Sequence, residues 1–231
     1  MKELRIRKEM GKNRNKKVIQ RLLSVILCFL LVTTMIPVSA FASVGEEFDD
    51  SGSGLRFKVL TEEGTAHTGT VAVVFNNYTG TVYNIPSTVD YNGITYTVTE
   101  VGEKAFYVLK KLKEITIPAT VTNIGKSAFD CCYALTKVTI EESSQLKTIG
   151  NRAFSGIGIE EITIPATVTS IDTWVFSNCK ALKKITIEEN SQLETIGDKT
   201  FWEANLKEIK IPAKVTRIGS FAFYGCKELP R

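Results

Sequence analysis

Along residues 112–229 apolar and polar positions recur in short bursts with a long period. Three segments align without gaps: LKEITIPATVTNIGKSAF at 112–129, IEEITIPATVTSIDTWVF at 159–176 and LKEIKIPAKVTRIGSFAF at 206–223, each 47 residues after the last. Between them lie LTKVTIEESSQLKTIGNRAF at 135–154 and LKKITIEENSQLETIGDKTF at 182–201, again 47 apart. The 47-residue unit is therefore two related half-units. Ile115, Val138, Ile162, Ile185 and Ile209 follow one another at spacings of 23, 24, 23 and 24.

Each half-unit makes local predictions. In Leu-x-x-Ile-Thr-Ile, apolar residues alternate with threonine, which is the pattern of a short strand buried on one face. Pro118, Pro165 and Pro212 offer no N–H to a ladder and end that strand. Val121 and Ile124 return the chain inward, and Gly125 supplies a turn. Ala128, Phe129, Cys132 and Leu135 recur at helical spacing, so each coil is expected to carry a short helix with one buried stripe. No half-unit can bury its apolar face alone, so the units must stack. Phe106, Phe129, Phe154, Phe176, Phe201 and Phe223 are the predicted core.

A period of 23–24 with Leu-x-x-Ile-x-Ile at its head falls in the leucine-rich-repeat range of about 20–29. The fuller pattern, IP-x-x-V-T-x-IG-x-x-AF-x-x-C-x-x-L over about residues 82–231, resembles the BspA-like leucine-rich repeats of bacterial surface proteins. The fold class expected is α/β, a leucine-rich-repeat solenoid with one parallel sheet and short helical turns over residues 99–231. Residues 55–98 are β-rich and less regular, and are read as an N-terminal cap over the first strand edge. Asn92-Gly93 within them is a two-residue hairpin signal. At Leu229-Pro230-Arg231 the pattern reaches the point where a further strand would begin, so the last coil is expected to be incomplete.

Charge and leader come next. Of 29 Lys and Arg against 25 Asp and Glu, residues 1–42 hold nine basic and two acidic side chains, leaving the remainder at −3. The basicity belongs to the leader, which removes the support for a nucleic-acid partner. Residues 1–42 read as a signal peptide: a basic stretch, an apolar run from Leu22 to about Ile36, and Ala40-Phe41-Ala42 before a mature start at Ser43. The rival reading is an uncleaved anchor, although the run is short of the ~20 residues that span a bilayer. After cleavage no membrane span is expected, and Ser43–Gly54, acidic and Ser/Gly-rich, reads as a flexible linker. The expected location is secreted or cell-surface.

Candidate chemistry is spread over the surface. Cys132, Cys179 and Cys226 stand 47 apart. Slots two coils apart are nearly 10 Å apart at about 4.8 Å per coil, beyond the ~7 Å limit for a disulfide, so they are read as interior thiols. On the exposed side of the strands Thr116, Thr139, Thr163, Thr186 and Lys210 form one row, and Glu114, Lys137, Glu161, Lys184 and Glu208 form another that alternates in sign. That row either sets register through lateral pairing or is a concave binding strip. Trp174 and Phe221 share one non-consensus slot, and Tyr107, Trp202 and Tyr224 each follow the repeat phenylalanine directly; these aromatics are either interface anchors or packing between neighbouring helices. His67, in a turn-rich stretch, cannot build a multi-His metal site as the sole histidine. Asn77-Tyr78-Thr79 has the form of a glycosylation sequon. Cys131 is a leftover thiol.

No cofactor is implied, and no catalytic or phosphate-binding motif is present. The family resemblance implies a non-catalytic module that binds a protein ligand, such as a host matrix or cell-surface protein. A structural spacer of the envelope is the alternative. An enzyme would need a site built from carboxylates or the Cys131 thiol alone.

Overall fold

The computed structural model describes residues 42–63, 68–75 and 78–230. The leader up to residue 41 with Cys28, and also His67 and Asn77, lie outside the described residues. Secondary structure in the described residues is entirely strand and turn.

The N-terminal part is a twisted layer of β1 (Glu47–Asp50), β2 (Leu55–Glu63), β3 (Thr68–Val74), β4 (Val82–Asn84), β5 (Thr88–Tyr91) and β6 (Ile94–Val101). β1, β2 and β3 pair antiparallel in sequence, and β3 pairs parallel to β6. β5 and β6 form the hairpin expected at Asn92-Gly93, whose φ values of 52° and 77° are those a two-residue turn of this kind demands. Residues 43–54 are not the expected flexible linker. Their four-residue strand β1 is anchored by Phe48, buried and stacked on Tyr91 at 4.0 Å. Arg56 donates two hydrogen bonds to Asp49 beside it.

The repeats add β7 (Glu114–Ile117), β8 (Asn123–Ile124), β9 (Lys137–Ile140), β10 (Thr148–Ile149), β11 (Glu161–Ile164), β12 (Ser170–Ile171), β13 (Lys184–Ile187), β14 (Thr195–Ile196), β15 (Glu208–Ile209) and β16 (Arg217–Ile218). These form two parallel ladders, not the single sheet expected. The Leu-x-x-Ile-x-Ile strands make sheets in the order β4-β7-β9 and β11-β13-β15. The second apolar stretch of each coil makes its own short rungs, β8-β10-β12-β14-β16, which continue from β6 into the N-terminal layer. In-register pairing places Ile115 on Val138 and Ile162 on Ile185 on Ile209. β4 lies parallel to β7, so the layer contributes a strand to each ladder.

The expected short helices are replaced by turns, and the hydrogen bonds give the reason. The amides of Ser127, Phe129 and Cys131 donate to carbonyls of Asn151, Ala153 and Ser155 in the next coil, while Ala128 and Asp130 donate three residues back. Ser127 and Cys131 sit at φ of 53° and 62°. A left-handed residue every fourth position breaks any run of helical bonds. The apolar spacing looks helical because a turn of i→i−3 bonds also brings every third or fourth residue inward. Gly125 acts differently from the turn residue expected: an added Cβ would lie 2.7 Å from the Glu103 amide nitrogen, so the slot needs glycine for backbone approach.

The interior is a single file. Phe106, Phe129, Phe154, Phe176, Phe201 and Phe223 stack with ring centroids 5.1–5.8 Å apart and interplanar angles of 3–19°. All but Phe223 are fully buried. Tyr78 and Tyr83 cover the first ring at 5.2 and 6.0 Å.

Candidate functional site

The strand strip is built as the alternation implies. In each Leu-x-x-Ile-x-Ile rung the isoleucines point inward and the residues between them stay at the surface. Register sets Glu114 opposite Lys137, Thr116 opposite Thr139, Glu161 opposite Lys184, Thr163 opposite Thr186, and Lys184 opposite Glu208. The row is interrupted: β9 and β11 belong to different sheets, so Lys137 and Glu161 are not strand partners. Of the paired charges only Lys137 and Glu114 close to an ion pair, at 3.4 Å, among the described residues. Lys210 follows β15 outside any strand and is exposed. Opposite charges thus lie side by side along the strip, with side chains free to meet another surface.

A second strip runs along the turns that follow β6, β8, β10, β12, β14 and β16. Lys104, Ser127, Arg152, Trp174, Lys199 and Phe221 occupy one equivalent slot in successive coils, all at φ between 53° and 61°. Trp174 and Phe221, the two residues singled out from sequence, are therefore brought onto one line. The sequence reading missed that the same line carries cations. Lys199 Nζ lies 4.5 Å from the Trp174 ring centre, 5.2 Å from Trp202 and 5.9 Å from Phe221. The Arg152 guanidinium lies 5.3 Å from the Trp174 ring centre. Trp202 stacks on Tyr224 at 4.2 Å, and Phe221 meets both Trp202 and Tyr224 edge-on at 6.1 and 6.0 Å. Phe221 and Tyr224 are 60% and 53% exposed. The signal was available in sequence as Lys104, Arg152 and Lys199 at the aromatic slot in alternate half-units.

The thiols lie inside as expected. Cys132, Cys179 and Cys226 donate to the carbonyls of Phe106, Phe154 and Phe201 one coil earlier, at 2.9, 3.1 and 3.1 Å. Burial pushes the Cys132 and Cys179 thiols up to about 12, since the thiolate would lose its water. Cys226, half-buried, is raised by the same cause. Cys131 is also raised by burial, with Asp130 beside it opposing ionisation. None of these is the depressed thiol of a nucleophile. Among the described residues no three His, Cys, Asp or Glu side chains cluster as metal ligands. No helix of the described residues is long and apolar enough to cross a membrane. An open groove of about 420 Å³ runs beside the second ladder, lined by Asn123, Thr148, Ser170, Asp172, Asp198 and Arg217 among others.

Known proteins share this architecture. The family described as BspA type leucine rich repeat region matches in six copies over residues 82–157 and 99–230. The crystal structure of the pneumococcal vaccine antigen PcpA is 30% identical and superposes with a TM-score of 0.68, covering 80% of this chain and 48% of that one. A leucine rich cell surface protein from Faecalibacterium prausnitzii A2-165 is 29% identical with a TM-score of 0.58, covering 80% of this chain and 53% of that one. A leucine rich repeat protein of T. pallidum, at 22% identity and a TM-score of 0.54, shares the fold. The chain spans about half the length of the first two. No curated protein matches it.

Proposed function

The chain belongs to the BspA-type leucine-rich-repeat family, and from that premise we propose that it is an exported, non-catalytic module that binds a protein at the cell surface or outside the cell. The reading is carried by one observation: successive rungs present charges of alternating sign at the surface, in register as Glu114 with Lys137 and as Glu161 with Lys184 and Glu208. A regular polar row of this kind suits a ligand that meets several coils at once, because each rung contributes one side chain at fixed spacing. The Cys132 and Cys179 thiols, raised well above neutral pH by burial, suit a non-catalytic reading. The likeness to a leucine rich cell surface protein and to a pneumococcal vaccine antigen supports the location. The basic and apolar leader ending at Ala42 is then the export signal. Residues 55–98 serve as the N-terminal cap, a role supported by β4 and β6 extending the two ladders.

Host matrix or cell-surface proteins are the ligands to test first. Reversing Lys137 and Lys184 to glutamate places five like charges along the strip, and binding to immobilised matrix proteins and host cells should fall. Binding unchanged from the parent chain would eliminate the strip as the contact surface. The alternative is a spacer without a ligand, favoured by the ion pair between Glu114 and Lys137, which takes up two of the row's charges. A spacer would give no saturable binding with either chain.

A further inference from the structure

The cation–aromatic strip on the turn side holds chemistry that the strand strip lacks. Cations and rings alternate on successive coils from Arg152 through Trp174 and Lys199 to Phe221, with Trp202 and Tyr224 flanking. Ion pairs within 4.0 Å among the described residues join Arg56 to Asp49, Lys137 to Glu114, Lys180 to Glu203 and Lys183 to Glu160. Arg152 and Lys199 take part in none of them. Both are held over ring faces, so their flexible stems are already ordered before anything binds. The nearby carboxylates turn elsewhere: Asp172 accepts the Thr173 amide at 2.6 Å, Asp198 accepts the Ser220 amide at 2.8 Å, and both line the groove with Arg217.

The backbone conformation of the slot is the same in all six coils. Trp174 and Phe221 hold left-handed conformations at φ of 61° and 58°, which are costly for large side chains and easy for glycine or asparagine. The same slot is serine in the coil of Ser127, so the turn itself does not require a ring. The left-handed slot, common to all six coils, thus holds a bulky ring at half-buried Trp174 and exposed Phe221, beside cations that join none of these ion pairs.

We infer that this strip binds an acidic, aromatic polypeptide segment: carboxylates on Arg152 and Lys199, and flat side chains against the exposed Phe221 and Tyr224, beside the half-buried indoles. Charge complementarity selects the partner. A neutral or basic segment leaves the cations unpaired, and a purely ionic one leaves the exposed rings uncovered. The inference deepens the protein-binding reading above and assigns a partner chemistry to a different face.

Trp174 and Trp202 are the only tryptophans in the chain, so indole emission reports on this site alone. The probe is a synthetic peptide alternating glutamate and tyrosine, compared with twins carrying glutamine or lysine for glutamate, and with heparin as a sulfated glycan. The acidic peptide should change the emission saturably and more weakly as salt rises. Arg152→Gln with Lys199→Gln should weaken it roughly tenfold, while Lys199→Arg restores most of the affinity. Unaltered circular dichroism of each variant secures the comparison. Equal binding of the glutamine twin, no saturable change with the acidic peptide, or saturation by heparin alone would each overturn the inference. Lys137→Glu with Lys184→Glu should leave this titration unchanged. Binding to host proteins without binding the peptide sinks the inference and spares the broader reading; the reverse result spares the inference and sinks the host-binding reading.

Discussion

The coil of residues 112–129 and the last coil, 206–223, carry nearly the same residues and meet opposite surroundings. Val121, Ile124 and Phe129 are completely buried, with a neighbour stacked on either side. Their counterparts Phe223, Val215 and Ile218 are part-exposed, Ile218 to 49%, because among the described residues no coil stacks beyond them. The motif therefore does not bury itself. A coil contributes half of an interface, and burial arrives with its neighbour, as expected for a quasi-one-dimensional fold.

That difference can be tested by the same substitution at both places. Phe154→Ala, in the middle of the ring stack, should cost about 3–5 kcal/mol by urea denaturation, whereas Phe223→Ala should cost less than half as much. Equal losses would mean that the last coil is covered. Slightly smaller effects are expected on the second ladder. Ile124→Ala should cost about 2–4 kcal/mol and Ile218→Ala about 1 kcal/mol or less, because its side chain already meets water.

The thiols sharpen the comparison with pH. Cys132 and Cys179 ionise near 12 in the folded chain and near 9 in the unfolded one, so the folded state holds the proton more tightly. Their contribution to stability is complete below pH 9 and is lost as pH rises from there toward 12. Cys132→Ala with Cys179→Ala should flatten this alkaline loss in a series of urea melts. Iodoacetamide at mildly alkaline pH should modify Cys226 of the last coil before Cys132 or Cys179, which mass spectrometry of the digested protein reads directly. The smallest effect is on the strand strip: Lys137→Ala should change stability by no more than about 0.5 kcal/mol, since the pair with Glu114 is exposed.

The repeat, its rungs and its core were legible because isoleucine and phenylalanine spacing reflects burial. The register of Ile115, Val138, Ile162, Ile185 and Ile209 follows from their 23–24 spacing, apart from the interruption between β9 and β11. The hairpin was legible from Asn92-Gly93. The turns were not, because the left-handed slot holds Lys, Ser, Arg, Trp and Phe, none of which advertises positive φ. Helical spacing and repeated i→i−3 turns share nearly the same apolar period, so pattern alone could not choose. β1 was hidden because Glu47, Asp49 and Asp50 looked like solvated linker while one residue, Phe48, did the anchoring. The aromatic half of the turn-side strip was visible as large residues in a small-residue slot. Its cationic half was hidden because lysine and arginine on a surface turn are ordinary until their distance to a ring is known.

Hydrogen exchange resolved by residue tests the nearest-neighbour account most directly. The amides of Ala128, Asp130 and Cys132 in a covered coil should exchange slowly, and their counterparts Ala222, Tyr224 and Cys226 in the last coil, which carry the same i→i−3 bonds, much faster. Protection of equal strength from Phe106 through Leu229 would contradict the claim that each coil owes its burial to the one beside it.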